Sequence, residues 1–243
     1  MMTKENILYR DQNCIIVNKR IGEAVEGASG GMVDLRAETA RYIAGPAALA
    51  EEGTVLPNVA VVHRLDVPVS GCVVFALNEN ATQVLNAAFA ETRVRKLYWA
   101  IVEAPDGGDE VPLSTTRWEL NHYLEFDSKS NKSKAWTEKG PGRRRATLFY
   151  TIIGKGDRYR FLEIELVTGR HHQIRAQLAA AGLHIKGDLK YGSRRSEKGG
   201  GIRLHCRALS IPNPADPKKR IEALAPVPEA DALWLAFEAA YQA

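Results

Sequence analysis

The chain is poor in cysteine, with only Cys14, Cys72 and Cys206, each inside an apolar segment and far from the others. That spacing suits neither a disulfide framework nor a metal site, and buried thiols are the simplest expectation. No stretch reaches the roughly 18 uninterrupted apolar residues of a membrane span. The opening Met1-Met2-Thr3-Lys4-Glu5-Asn6 also lacks a hydrophobic signal core, so a cytoplasmic location is expected. The glycines of Glu26-Gly27-Ala28-Ser29-Gly30-Gly31 have neither a preceding strand nor a Gly-Lys-Ser/Thr ending, which excludes a phosphate cradle of that kind and leaves a connector. Repeats and low-complexity segments are absent. Charge of one sign is scarce too: 33 Lys and Arg against 29 Asp and Glu leave a net charge of +4. A mildly basic chain suits a phosphate-rich partner without establishing one. Its 243 residues allow one large domain or two small ones.

What is present is organised around Val61-Val62-His63-Arg64-Leu65-Asp66-Val67-Pro68-Val69-Ser70-Gly71-Cys72-Val73-Val74-Phe75. This segment sets an imidazole, a guanidinium and an acid between two apolar runs that read as buried strands. Charged groups are rarely fully buried without a partner, so His63, Arg64 and Asp66 are expected where the chain leaves the core and lines a cleft. Pro68 biases Val67 away from helix, and Ser70-Gly71 reads as turn chemistry. Two readings stand open on the segment alone: a rigidly mounted reactive carboxylate, or an Arg64–Asp66 ion pair that only ties the loop.

Along the rest of the chain, residues 7–10 and 14–19 around Asp11-Gln12-Asn13 predict a hairpin. Met32 to Ile43 predicts a helix stopped at Gly45-Pro46. Residues 72–77 predict a buried strand, and 81–91 a helix capped by Asn78 or Asn80, with Val84, Leu85, Ala88 and Phe89 inward. In a strand from Val94 to Glu103, Lys96, Tyr98 and Ala100 share a face that is not expected to be dry core, which puts Tyr98 at a cleft rim. Pro105 to Gly142 reads as polar and irregular. Its basic second half, Asp127 to Lys134 with Lys139, Arg143, Arg144 and Arg145, fits either a ribose-phosphate backbone or solvated edge-strand lysines.

Ala146–Ile153 and Tyr159–Val167 predict a strand pair joined at Gly154-Lys155-Gly156-Asp157, with Leu162, Ile164 and Leu166 inward. A helix over 171–181 follows, closed by Gly182, with Ile174, Leu178 and Ala181 buried. Arg175 lies off that stripe, and Arg170, His171, His172 and Gln173 join it in a dense donor cluster. Lys186 to Gly201 reads as a basic, glycine-rich loop that is free to move. A strand over 202–211, a turn at Pro212-Asn213-Pro214, a short strand over 220–224 and a helix over 229–240, packed through Leu233, Trp234 and Phe237, complete the chain. Hairpin strands with helices between them indicate an α+β protein on a mixed, largely antiparallel sheet.

His63-Arg64-Leu65-Asp66 followed by Ser70-Gly71 resembles the signature of the RluA family of RNA pseudouridine synthases. Similar motifs follow in the family's order: Arg95-Lys96-Leu97-Tyr98-Trp99-Ala100-Ile101-Val102, Thr168-Gly169-Arg170-His171-His172-Gln173-Ile174-Arg175, Gly182-Leu183-His184-Ile185-Lys186-Gly187-Asp188 with Tyr191-Gly192, and Arg203-Leu204-His205-Cys206. The opening Ile7-Leu8-Tyr9-Arg10-Asp11 with Val17-Asn18-Lys19 also resembles the family, so the likeness covers nearly the whole chain.

The resemblance implies the pseudouridine synthase fold, with flanking helices and a central active-site cleft. It implies a single catalytic domain over 1–243, without the N-terminal S4-like RNA-binding domain of many relatives. The implied activity is isomerisation of specific uridines in structured ribosomal or transfer RNA, by base flipping. RNA is then the partner, and no cofactor, metal or membrane is implied; monomer is the default state. On the same resemblance Asp66 is the catalytic residue and Arg175 the cation that keeps it ionised. Tyr98 is the ring stacked on the target base and a candidate for removing the C5 proton. Arg64 fills the space left by the flipped base. Lys96, Arg170, His171 and Gln173 are further substrate-side candidates, Ile185 packs beside the aromatic platform, and His63, also a candidate there, reads foremost as a structural hydrogen-bonder.

The chain departs from the family's usual residues at Val69 and His171, both commonly threonine, at Leu183-His184, often His-Pro, and at Lys186, frequently apolar. These bear on substrate preference more than on activity. Two rivals are an RNA-binding protein that retains the fold but is catalytically silent, and a hydrolase in which a second acid, Asp188, faces Asp66. A metal site is disfavoured because His171 and His172 are expected to point apart on a helix.

Overall fold

The computed structural model describes residues 2–28, 30, 32–49, 55–104, 116–197, 199–228 and 231–242. In chain order the strands and helices are β1 (Ile7–Arg10), β2 (Cys14–Lys19), α1 (Leu35–Leu49), β3 (Ala60–Val61), β4 (Ser70–Ala76), α2 (Glu79–Ala90), β5 (Arg95–Glu103), β6 (Trp118–Asp127), β7 (Lys132–Trp136), β8 (Arg144–Lys155), β9 (Tyr159–Leu166), α3 (Gln173–Ala180), β10 (Leu204–Asn213), β11 (Asp216–Leu224) and α4 (Ala232–Gln242). This is the expected α+β architecture on a mostly antiparallel sheet. The chain forms two compact units, one from the residues up to Arg95 with Arg207–Pro226, the other from Lys96–Cys206 with the residues from Val227 on.

In the first unit β1, β2 and β4 are successive antiparallel neighbours. Cys14 to Val17 and the whole of β4 are buried, as their unbroken apolar runs require. Asn78 caps α2 by accepting the Ala81 amide hydrogen at 2.9 Å; Ala81, Leu85 and Ala88 are its buried residues, while Val84 and Phe89 are only half-buried. Gly45, at φ 79° and ψ 166°, breaks α1 where the sequence predicts the stop, yet helical turns resume at Pro46. Two expectations for the organising loop change. Val61-Val62 is not a buried strand, because β3 has two half-buried residues and Val62 follows it. Ser70-Gly71 is not a turn, because both residues open β4 and Gly71 is paired with Lys19. The turn is one step earlier, closed by the Val69 amide on the Asp66 carbonyl at 3.0 Å. Gly71 has φ 113°, a conformation that a side chain would strain.

The second unit is an antiparallel sheet in the order β5-β9-β8-β6-β7. Trp99, Ile101 and Phe161 pack with Trp234 and Phe237 of α4. A smaller cluster of Leu124, Ala146, Ala176 and Tyr191 seats α3 on the sheet. The segment expected to be irregular, as far as it is described, contains the β6–β7 hairpin. Its apolar residues are too sparse to betray a strand, since only the Leu124–Ala135 face meets the core. Lys96 and Tyr98 are 7% and 6% exposed, so both side chains are largely buried, contrary to expectation. Helix α3 starts two residues late and is buried from Gln173 to Leu178, whereas Ala181 is exposed. Gly182 does close it: the Gly182 amide reaches the Ala179 carbonyl at 3.1 Å and the Leu183 amide the Leu178 carbonyl at 2.9 Å. The glycine-rich loop is anchored by charge. Lys186 and Arg203 both grip Glu197, and Arg203 also grips Asp231 at the start of α4.

Candidate active site

In the first unit the sheet delivers Asp66, half-buried, at the mouth of the Asp66–Val69 turn. The turn is pinned from below by Lys19, the last residue of β2. Its ammonium, 1% exposed, donates to the carbonyls of Arg20 at 2.9 Å, Val67 at 3.1 Å and Val69 at 2.6 Å. Burial pulls the Lys19 pKa down to about 8, against the opposing pull of Glu23 and Asp66. Sequence reasoning passed over this lysine; the available signal was a cation ending a strand otherwise rich in apolar residues. His63 accepts the Val74 amide hydrogen at 2.9 Å and stacks on Phe89 at 4.6 Å. Arg64 does not tie the loop to Asp66. Its side chain, 68% exposed, pairs with Glu26 at 2.7 Å.

In the second unit the Thr168–Arg175 motif gathers Arg170, His171, Gln173 and Arg175. Gln173 is consumed locally: its carbonyl oxygen accepts from the Thr168 hydroxyl at 2.8 Å and the Arg170 amide at 3.0 Å, and its amide donates to the Thr147 carbonyl at 3.1 Å. Arg170 is exposed and donates to the Arg145 carbonyl at 3.2 Å. Arg175, 5% exposed, forks onto Asp188 through Nε–Oδ2 at 2.7 Å and Nη2–Oδ1 at 2.8 Å. Its guanidinium also lies 4.9 Å from the Tyr191 ring centroid. The Tyr191 hydroxyl receives the Ser133 amide hydrogen at 2.8 Å and lies 3.0 Å from His172 Nδ1.

Contrary to the expectation for a helix, His171 and His172 stack at 3.8 Å. His172 sits before α3 in the left-handed conformation, at φ 51°, which folds the two rings onto each other. Burial, and then the charges of Arg175, His171 and Lys190, push the His172 pKa down to about 3, so it is neutral at physiological pH. Asp188 is 1% exposed and held by Arg175, which makes it an ion-pair anchor and a poor second acid for hydrolysis. Lys96 reaches to 3.8 Å from the point where a β-carbon on Gly169 would sit; burial lowers its pKa. Tyr98 lies opposite Ile164 in the sheet. Ile185 is 1% exposed and bridges to Val102.

The unusual residues fit their surroundings. Val69 is buried, His171 meets Ser133 at 3.0 Å, His184 Nδ1 lies 2.8 Å from the Tyr191 carbonyl, and Lys186 is neutralised by Glu197. Among the described residues no cluster of His, Cys, Asp or Glu could hold a metal ion. None of their helices is long and apolar enough to cross a membrane.

Residues 13–180 match the family described as RNA pseudouridylate synthase. An uncharacterized RNA pseudouridine synthase of Zymomonas mobilis is 30% identical over 93% of this chain and 95% of its own length. An uncharacterized RNA pseudouridine synthase of Bacillus subtilis is 28% identical over 92% of this chain and 69% of its own. A protein of Zymomonas mobilis named ribosomal large subunit pseudouridine synthase D is 29% identical over 79% of this chain and 56% of its own. The solved structure of human RNA pseudouridylate synthase domain containing 1 has the same fold, with a TM-score of 0.70 at 20% identity over 100% of this chain and 98% of that one. On the family match and the near full-length relative, the chain belongs to the RluA-type RNA pseudouridylate synthases and is an RNA pseudouridine synthase.

Proposed function

We propose that the protein converts a specific uridine of structured ribosomal or transfer RNA to pseudouridine, with Asp66 as the catalytic residue. In this reading it works in the cytoplasm as a monomer, and the whole chain serves as one catalytic domain. Large-subunit ribosomal RNA is the favoured substrate, because the Zymomonas mobilis relative at 29% identity is named as a ribosomal large subunit pseudouridine synthase. The target nucleotide must leave its stack before a carboxylate can reach it. Arg64, exposed beside Asp66, exchanges Glu26 for the vacated space.

The N1–C1′ bond then breaks, the uracil turns, C5 bonds to C1′, and the C5 proton is lost while N1 gains one. No water is consumed and no electrons are transferred, so one acid suffices where a glycosidase needs two. Asp66 acts by attacking the nucleotide or by promoting a glycal intermediate. Tyr98 stacks on the base and takes the C5 proton, and Arg175 is the cationic partner of Asp66 in the reaction. Lys96, Arg170, His171, Gln173, His63 and Ile185 build and position the surroundings. The observation that carries this reading is the turn itself: a carboxylate left half-accessible on backbone carbonyls clamped by the buried Lys19 ammonium.

The test is incubation of purified protein with total RNA from a strain lacking it, followed by pseudouridine mapping, beside Asp66→Asn. Wild type is expected to modify at least one uridine, and the variant to bind RNA and modify none. Modification by Asp66→Asn would remove the mechanism, and RNA binding by a wild type that modifies nothing would favour the silent RNA-binding reading.

A further inference from the structure

We propose that Phe126 and His171 form a stacking site for an unpaired base of the bound RNA, distinct from the target uridine. The proposal rests on the chain acting on RNA and adds a second recognition point. On the β6–β7 hairpin, Leu124 and Ala135 turn one face into the α3 core. Phe126 and its cross-strand partner Ser133 continue that face to the end of the hairpin. There Phe126 emerges, 51% exposed.

Its immediate neighbour is held in place. The His171 ring meets Phe126 edge-on at 4.3 Å and stacks on His172 at 3.8 Å. Ser133 Oγ lies 3.0 Å from His171 Nδ1 and donates to the His171 carbonyl at 2.7 Å. A half-exposed ring backed by a fixed second ring needs little ordering to accept a base, and base–aromatic stacking tolerates any sequence.

Lysines lie in and beside the hairpin turn next to Phe126. Lys190 reaches across to the Asn131 carbonyl at 2.9 Å, tying it to the hairpin turn, and Lys132 lies 4.8 Å from the Tyr191 ring centroid. With Lys129 also in that turn, a base on Phe126 would have its phosphates among lysines. This charge selects a nucleic acid over an apolar partner.

The site is separate from Tyr98. The register runs Tyr98 to Ile164 to Tyr150 to Trp118, three strand spacings of about 4.8 Å each. Phe126 lies further along the same strand, eight positions beyond Trp118.

The test compares wild type with Phe126→Ala, Phe126→Leu and Phe126→Trp. It measures binding of a fluorescein-labelled single-stranded oligouridylate and pseudouridine formation in total RNA from a strain lacking the protein. Phe126→Ala and Phe126→Leu are expected to weaken oligouridylate binding by about 5- to 150-fold, while Phe126→Trp binds like wild type. All four proteins should unfold at the same temperature, and the salt dependence of binding should be unchanged, because stacking releases no counterions. A loss in both Ala and Leu variants below about fivefold, or a Leu variant that binds like wild type, overturns the stacking site. Phe126-dependent binding by a wild type that makes no pseudouridine would overturn the proposed reaction and leave the stacking site standing. Pseudouridine formation with all variants binding alike would do the reverse.

Discussion

Arg175 and Asp188 are locked by two charge-assisted hydrogen bonds, 2.7 and 2.8 Å long, with side chains only 6% and 1% exposed. A buried pair is most sensitive to the loss of one member, because the other charge is stranded. Asp188→Ala is therefore expected to destabilise the protein by about 3–5 kcal/mol, read as a lower urea midpoint. An unchanged midpoint would mean that the fork does not hold the 182–192 loop to α3.

Lys19→Met removes the donor that holds the Val67 and Val69 carbonyls. The expected loss is about 1.5–3 kcal/mol, the worth of hydrogen bonds to a charged group, together with a fall in kcat larger than any change in RNA affinity. The pH dependence has a definite sign. With a pKa of about 8 when folded, against 10.5 as a free lysine, the unfolded chain holds the proton across this window. The Lys19 contribution to stability then rises as pH increases from 8 to 10.5. Urea unfolding of wild type and Lys19→Met at both ends of that range checks it; a difference that shrinks with pH would contradict the assignment.

His172 gives the complementary acid limb. Its folded pKa of about 3 lies below its ordinary 6.5, so the neutral ring's contribution is complete above pH 6.5 and is lost as pH falls toward 3. His172→Gln should flatten the decline in stability between pH 7 and 5. Equal slopes in the two proteins would show that another group titrates there.

The basic hairpin should reveal itself through salt. Lys134 and Arg143 lie over Trp136 at 3.9 and 3.8 Å from its ring centroid, which holds both cations near one place. If Lys134 contacts a phosphate, Lys134→Ala lowers the slope of log affinity against log salt by about 0.7–0.9. No change in slope assigns Lys134 to solvent.

Local pattern revealed the elements whose signal lies within a few residues: the 7–19 hairpin, the β8–β9 pair, the Asn78 cap and the Gly182 stop. It missed β6 and β7 because a strand with a short core-facing patch carries little alternation. It misjudged Lys96 and Tyr98 because both side chains are largely buried, a fact of packing that a polar residue in the sequence argues against. The left-handed His172, which stacks two rings expected to diverge, leaves no local mark either.

By itself the sequence determined the α+β class, the motif order and the candidate residues, because period, turn chemistry and motif spacing are properties of neighbouring residues. Only the tertiary structure decided who pairs with whom: Arg64 with Glu26, Arg175 with Asp188, Lys19 with the backbone carrying Asp66. A buried charge must be satisfied by whatever group packing brings within reach, and for Lys19 that group lies 48 residues away along the chain.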